Sequence, residues 1–303
     1  MKRNDYVVRL LGMLKRYLLW FVASVSVKTA NLSIPYLGAY LVSAWLFGQM
    51  TFLTFVAAAV VMTVLLVGTA FGDTYISHRM SFGIVKDLRN KCYSKIERLL
   101  PATESGKSLG DYERIINSDV DVFEWFYAHI LVSWIATALV LMIGAICVAR
   151  INIVALEVLI ICSIVLIGIP VFHTKQAEEK GYELRKYGGE LNAVIVDGIL
   201  GMKDIISNQY EEEYTQKLME KSRQFDRSRE KFLNRGMKEK RSTELVINIS
   251  YLMIAGIGVL GGEKDIAKTV TLLLLAFSFY GPLQQTLRDG TNYGFVFGAA
   301  KRV

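Results

Sequence analysis

"ATESGKSLGDYERIINSDVDVF", Ala102–Phe123, contains Gly106-Lys107-Ser108, the closing residues of a loop that can cradle nucleotide phosphates. Such a loop needs G-x-x-x-x-G-K-S/T with a strand before it and a helix after it. Here Pro101 stands where the first glycine belongs. Upstream, Phe82, Val85, Leu88, Cys92, Ile96 and Leu99 recur at steps of three and four, the period of an amphipathic helix and not of a strand. No second Gly-Lys-Ser/Thr occurs, and no acidic residue follows an apolar strand to hold magnesium. The stretch therefore reads as the tip of a helical hairpin.

A second hairpin follows the same logic. Leu184, Tyr187, Leu191, Val194, Gly198, Met202 and Ile205 keep the helical period, and the acidic "SNQYEEEY" (Ser207–Tyr214) then interrupts it. Both hairpins lie between apolar blocks. Of the 303 residues 52% are hydrophobic, and the mean hydropathy is +0.34. Six blocks approach or exceed the roughly 20 residues that cross a bilayer core. They are Tyr17–Phe47, Phe52–Gly72, Trp125–Ala149, Ile151–Phe172, Leu245–Gly262 and Thr269–Leu283. The expected fold is all-α, a polytopic membrane protein with six transmembrane helices and two cytosolic helical hairpins, 73–124 and 173–244. At 1.5 Å per residue, about 25 residues carry each hairpin helix roughly 35–40 Å beyond the membrane.

Residues 1–16, with Tyr6, Leu10, Leu11 and Leu14 on one side, form an expected interfacial segment and not a cleaved leader, because the apolar run after it is too long. Charge sets the orientation. Arg150, Lys264, Lys268 and the intramembrane Lys28 aside, every one of the 35 lysines and arginines falls on the side of the N-terminus and the hairpins. The positive-inside rule makes that side cytoplasmic, places both termini there and suits the plasma or inner membrane. The net charge of +7 is thus a topology signal, and no nucleic-acid partner is expected. Cys92, Cys147 and Cys162 lack metal-ligand spacing and read as packing residues, and His78, His129 and His173 are scattered along the chain. No metal site and no catalytic residue is expected.

Polar stripes mark the spans. Ser24, Lys28, Asn31 and Pro35 share one face of the first, Glu244, Asn248 and Tyr251 one face of the fifth, and Gly281, Gln285, Arg288 and Asn292 one face of the sixth. A mid-membrane lysine costs about 2.5–3.5 kcal/mol on insertion scales, so Lys28 is expected to face water, a partner or substrate. Ser24, Lys28, Asn31, Asn248, Tyr251, Gln285 and Arg288 are the substrate-cavity candidates. Gluing helices together is the competing role for the same groups.

The hairpin residues also carry a resemblance. "LGDYERIINSDVDVFE", preceded by "DLRNKCYSKIERLLP", resembles the first intracellular loop of the type-1 transmembrane domain of ABC exporters, G-D/E-x-x-x-R-x-x-x-D-V after an L-R helix and a proline. Leu88, Arg89, Pro101, Gly110, Asp111, Asp119 and Val120 fall on that pattern, while Ile115 takes the place of its arginine and Arg114 stands one residue early. "GILGMKDIISNQYEEEY" is similar to the second loop, and "SFYGPLQQTLRDGTNYGFVFGAAKRV" resembles the sixth helix and its exit.

The resemblance implies half of an ATP-driven exporter: a homo- or heterodimer around an alternating-access cavity in the lipid bilayer, carrying an unknown substrate. It also implies that the hairpin tips couple to an ATPase domain, through Gly110, Asp111, Tyr112, Asp119, Gln209, Tyr210 and Glu211. Most relatives continue into that ATP-binding domain where this sequence stops at Val303, so it is expected in a longer chain or a separate subunit. Mg-ATP is expected there and no cofactor on this chain. The alternative is a degenerate half-transporter serving as a non-transporting scaffold or regulatory partner.

Overall fold

The computed structural model describes residues 12–99, 113, 115–260, 266–289 and 296; among them nearly all are helical and none lies in a strand. A 3-10 turn, Leu14–Tyr17, leads into α1, Leu18–Leu46. Then come α2 (Phe52–Leu99), α3 (Ile115–Ala149), α4 (Ile153–Leu200), α5 (Met202–Ser207), α6 (Glu211–Leu260) and α7 (Ile266–Asp289). Helices α1, α2, α3, α4, α6 and α7 each contain a stretch long and apolar enough to cross a membrane. With 48, 48 and 50 residues, α2, α4 and α6 are about 70 Å long, more than twice the thickness of a bilayer core. Span and hairpin arm are therefore one continuous helix in each case, in α4 even across Gly168 and Pro170.

Local chemistry sets the ends. At the C-terminal end of α1, Gly48 adopts φ 71°, and Gly48 N–H donates to Trp45 O while Gln49 N–H donates to Ala44 O, the paired bonds of a Schellman closure. Thr51 Oγ1 then caps α2 by accepting from Thr54 N–H, and Asn152 Oδ1 caps α4 by accepting from Ala155 N–H. Within α3, two stretches widen into π-helix, Ile115–Asp119 and Phe126–Leu131.

The chain falls into two units, Met1–Leu159 with Met253–Val303, and Ile160–Leu252. In the first, α1 packs on α2, α3 and α7, and α3 also packs on α7. Tyr36 and Ala39 of α1 are buried, as are Val140 of α3 and Leu275, Ala276 and Phe279 of α7. A second cluster joins Met80, Ile84, Val85 and Leu88 of α2 to Val120, Phe123, Tyr127 and Ile130 of α3. The N-terminal half of α2 reverses the soluble rule: Leu53, Val60, Val64, Val67 and Phe71 are all exposed. Such an apolar surface is stable only against lipid or another protein.

The second unit is an antiparallel pair, α4 against α6, joined by α5. A Cβ on Gly188 would sit 3.3 Å from Phe225, and one on Gly181 3.8 Å from Phe232. Lys221 Nζ donates to Glu190 Oε2 at 2.7 Å and Tyr214 Oη to Val194 O at 2.5 Å. Partners descend one helix as they climb the other, the register of a continuous two-helix strut.

Candidate functional site

The second tip is built from turns that leave its side chains outward. Gly201 N–H donates to Asp197 O at 2.8 Å and closes α4. Asp204 N–H and Ile205 N–H, both bonding to Gly201 O at 3.0 Å, open α5. At the far end Gln209 N–H donates to Ile206 O and Tyr210 N–H to Ile205 O, again a Schellman closure. Its left-handed position is held by Gln209 at φ 55°, where glycine is the ordinary residue. Tyr214 folds back onto the strut, its ring 2.6 Å from where a Gly198 Cβ would lie. The outcome is a short helix between two long ones, with Met202 and Ile206 exposed on it and Leu200 and Tyr210 exposed to either side. Glu211, Glu212 and Glu213 fill the first turn of α6, where the helix dipole favours acids.

Of the expected coupling residues, Gln209, Tyr210 and Glu211 thus share this tip. Gly110, Asp111 and Tyr112 lie outside the described residues, as do Gly106-Lys107-Ser108. Asp119 is buried, at the end of the first π-helical stretch of α3. Arg89 of α2 clamps that stretch, donating from Nε to Ile116 O at 3.2 Å and from Nη2 to Asp121 Oδ1 at 2.5 Å. Ile115, in the arginine position of the exporter pattern, is buried as an apolar residue would be.

The polar stripe of α1 faces α2. Lys28 Nζ lies 3.1 Å from Asp73 Oδ2, and the two side chains are only 10% and 19% exposed. Asp73 Oδ1 accepts from Ser77 Oγ, which also pairs with Ser24 Oγ. Asn31 Nδ2 donates to Leu66 O and to Thr69 Oγ1. One seam thus engages Ser24, Lys28 and Asn31 together. Hydroxyl pairs stitch the other contacts of the bundle: Ser43 with Thr271 between α1 and α7, and Thr137 with Thr286 between α3 and α7. Gln285 and Arg288 are exposed on α7, Asn248 is exposed on α6, and Tyr251 is half-buried there.

Two groups escaped the sequence reading. Asp73 counted as the first residue of a cytosolic connection, because a hydropathy boundary stops at the first charge. The histidines are not all scattered either: His78 of α2 and His129 of α3 approach with ring centroids 5.2 Å apart, beside Glu124. No spacing along the chain signals that approach. The cysteines match the packing reading, with Cys162 buried and Cys92 half-buried, its thiol pushed up by burial.

The sequence model of the ABC transporter transmembrane region matches residues 17–283. Over 262 residues the chain is 25% identical to a Haemophilus influenzae protein named "Probable ABC transporter ATP-binding/permease protein". That alignment takes in 84% of this chain and 47% of the relative, so the chain spans about half the relative's length.

Proposed function

The chain belongs to the ABC transporter transmembrane family, and from that membership we propose that it works as half of an ATP-driven exporter whose tips take up motion from an ATP-hydrolysing domain. The single observation that carries the coupling role is the second tip: the six-residue α5 joins two helices of 48 and 50 residues, with Met202 and Ile206 exposed on it and Leu200 and Tyr210 exposed to either side. A solvated helix end would not need an apolar face. A concave site on a partner would bury it.

Energetics point the same way. Shifting an inward–outward equilibrium from 1:99 to 99:1 takes about 5.5 kcal/mol of differential binding. In this reading the energy enters at the tips, from a domain that holds Mg-ATP. The strut contacts Tyr214–Val194 and Lys221–Glu190 keep α4 and α6 moving together. The exposed apolar face of α2 suits lipid or a second transmembrane half. The bias of lysine and arginine supports cytoplasmic termini in a plasma or inner membrane.

Asn248 and Gln285, polar and exposed on membrane helices, are the substrate contacts this reading favours. Lys28 would join them only if its pair with Asp73 opens in another state. The test is to replace Tyr112 and Tyr210 separately with alanine in the assembled transporter and follow ATP hydrolysis and transport in the same vesicles. Coupling through the tips predicts continued hydrolysis with transport down about tenfold, corresponding to roughly 1.4 kcal/mol. Unchanged transport in both variants contradicts it.

A further inference from the structure

His78 sits on the hairpin side of the α2 span, one residue past Ser77 of the polar seam. Glu124 and His129 lie five apart on α3, and in an α-helix residues five apart point about 140° away from each other. The π-helical turn Phe126–Leu131, whose bonds run from i to i+5, widens the helix at this point and brings His129 back beneath Glu124. π-turns are rare, and they concentrate at functional sites.

One donor atom from each of His78, Glu124 and His129 lies within 4.8 Å of the other two. His78 Nδ1 is 2.7 Å from Glu124 Oε1, with the two side chains 30% and 25% exposed. Trp125 lies against the His129 ring at 4.4 Å between centroids, and Phe82 lies 5.6 Å from His78. The neighbouring cation, Arg79, lays its guanidinium over the Trp20 ring of α1, 5.4 Å from its centroid. Two imidazoles and a carboxylate thus meet here, partly exposed and rimmed by aromatic rings.

We propose that His78, Glu124 and His129 bind a divalent transition metal of the zinc class, with water in the fourth position. Imidazole nitrogen and carboxylate oxygen are zinc donors, and three protein ligands leave a tetrahedral ion one open place. Donors at about 2.0–2.1 Å from such an ion are roughly 3.3 Å apart. His78 and Glu124 must open slightly and His129 must close, movements that rotations of partly exposed side chains supply. Zinc takes imidazole in its neutral form and carboxylate ionised, so binding releases to solvent whatever proton those groups carry. The bound ion ties α2 to α3 at the root of the first hairpin, the same pair of helices that Arg89 joins further along through Ile116 and Asp121. The site is independent of whether the chain transports anything.

The experiment uses the full chain, purified without a histidine tag in mild detergent, and titrated with Zn2+ against a metallochromic indicator. One ion per chain is expected, with affinity reduced at least tenfold in H78A and in H129A, and unchanged in H173A. Circular dichroism confirms that each variant keeps its helices. Because a variant can fail to fold, Co2+ is also added to the unaltered protein, where the visible bands of a four-coordinate nitrogen–oxygen site are expected and are abolished by Zn2+. Absence of those bands in folded protein, or zinc binding in the folded double variant H78A/H129A equal to that of the unaltered protein, overturns the proposal.

Discussion

Lys28 shows what one residue reveals and conceals. Its cost in the membrane marks it in the sequence as a group that must be accounted for, and the ion pair with Asp73 accounts for it. The partner was illegible, because the lysine itself draws Asp73 past the hydropathy boundary. Removing one member of a buried pair strands the other, typically at about 3 kcal/mol or more. K28A should therefore lower the thermal midpoint in detergent, D73N should reproduce it, and the apolar pair K28M/D73L should lose less than either. If K28A is neutral, the pair contributes nothing to the bundle. A second prediction concerns Gly144, where a Cβ would lie 2.5 Å from Tyr36 Oη and 2.9 Å from Phe279 Cδ2. Both rings are buried, so G144A should cost about 1–3 kcal/mol by overpacking. Because Tyr36 Oη has no hydrogen-bond partner among the described residues, Y36F should be neutral or stabilising and should partly rescue G144A in the same unfolding assay.

At the scale of elements, regular helices were legible and their departures were not. The three-and-four period of Phe82 to Leu99 and of Leu184 to Ile205 locates both descending arms; α2 carries the first as one unbroken helix, whereas α4 ends at Leu200 and Met202 and Ile205 lie on α5 beyond the Gly201 turn. The π-turns of α3 leave no such trace, since Ile115–Asp119 and Phe126–Leu131 satisfy an α-helical pattern equally well. That is why Glu124 and His129 looked unrelated. The strut itself yields a pH prediction. The hydrogen bond from Lys221 holds the Glu190 carboxyl below its ordinary 4.5, and the same bond raises Lys221 above its ordinary 10.5. The folded carboxyl is thus the stronger acid: its contribution is complete above about pH 4.5 and is lost as pH falls through the lowered value. The lysine contribution is complete below about pH 10.5 and lost as pH rises through the raised one. Between those limits E190Q should show faster amide exchange than the unaltered chain along 187–224. Once the pH has fallen through the lowered value of Glu190 the two should converge. A difference that persists there would assign the effect to packing instead of charge.

For the whole molecule, hydropathy located six crossings, and six helices carry them. Helices α2, α4 and α6 continue past their apolar blocks into the hairpin arms, because polarity changes there while the backbone does not. The shape of the second tip was not readable, since its left-handed residue is Gln209 and no glycine announces the turn. The central claim is that this tip meets an ATP-hydrolysing domain on the cytoplasmic side. The direct measurement places a cysteine at Ile206 (I206C), attaches a photoreactive cross-linker in native membranes and identifies the adduct by mass spectrometry. The account predicts an adduct with an ATP-binding sequence, in this polypeptide or a separate one, whose yield changes when ATP is added. An impermeant maleimide reaching the same cysteine from outside intact cells, or no adduct with any nucleotide-binding sequence, would contradict it.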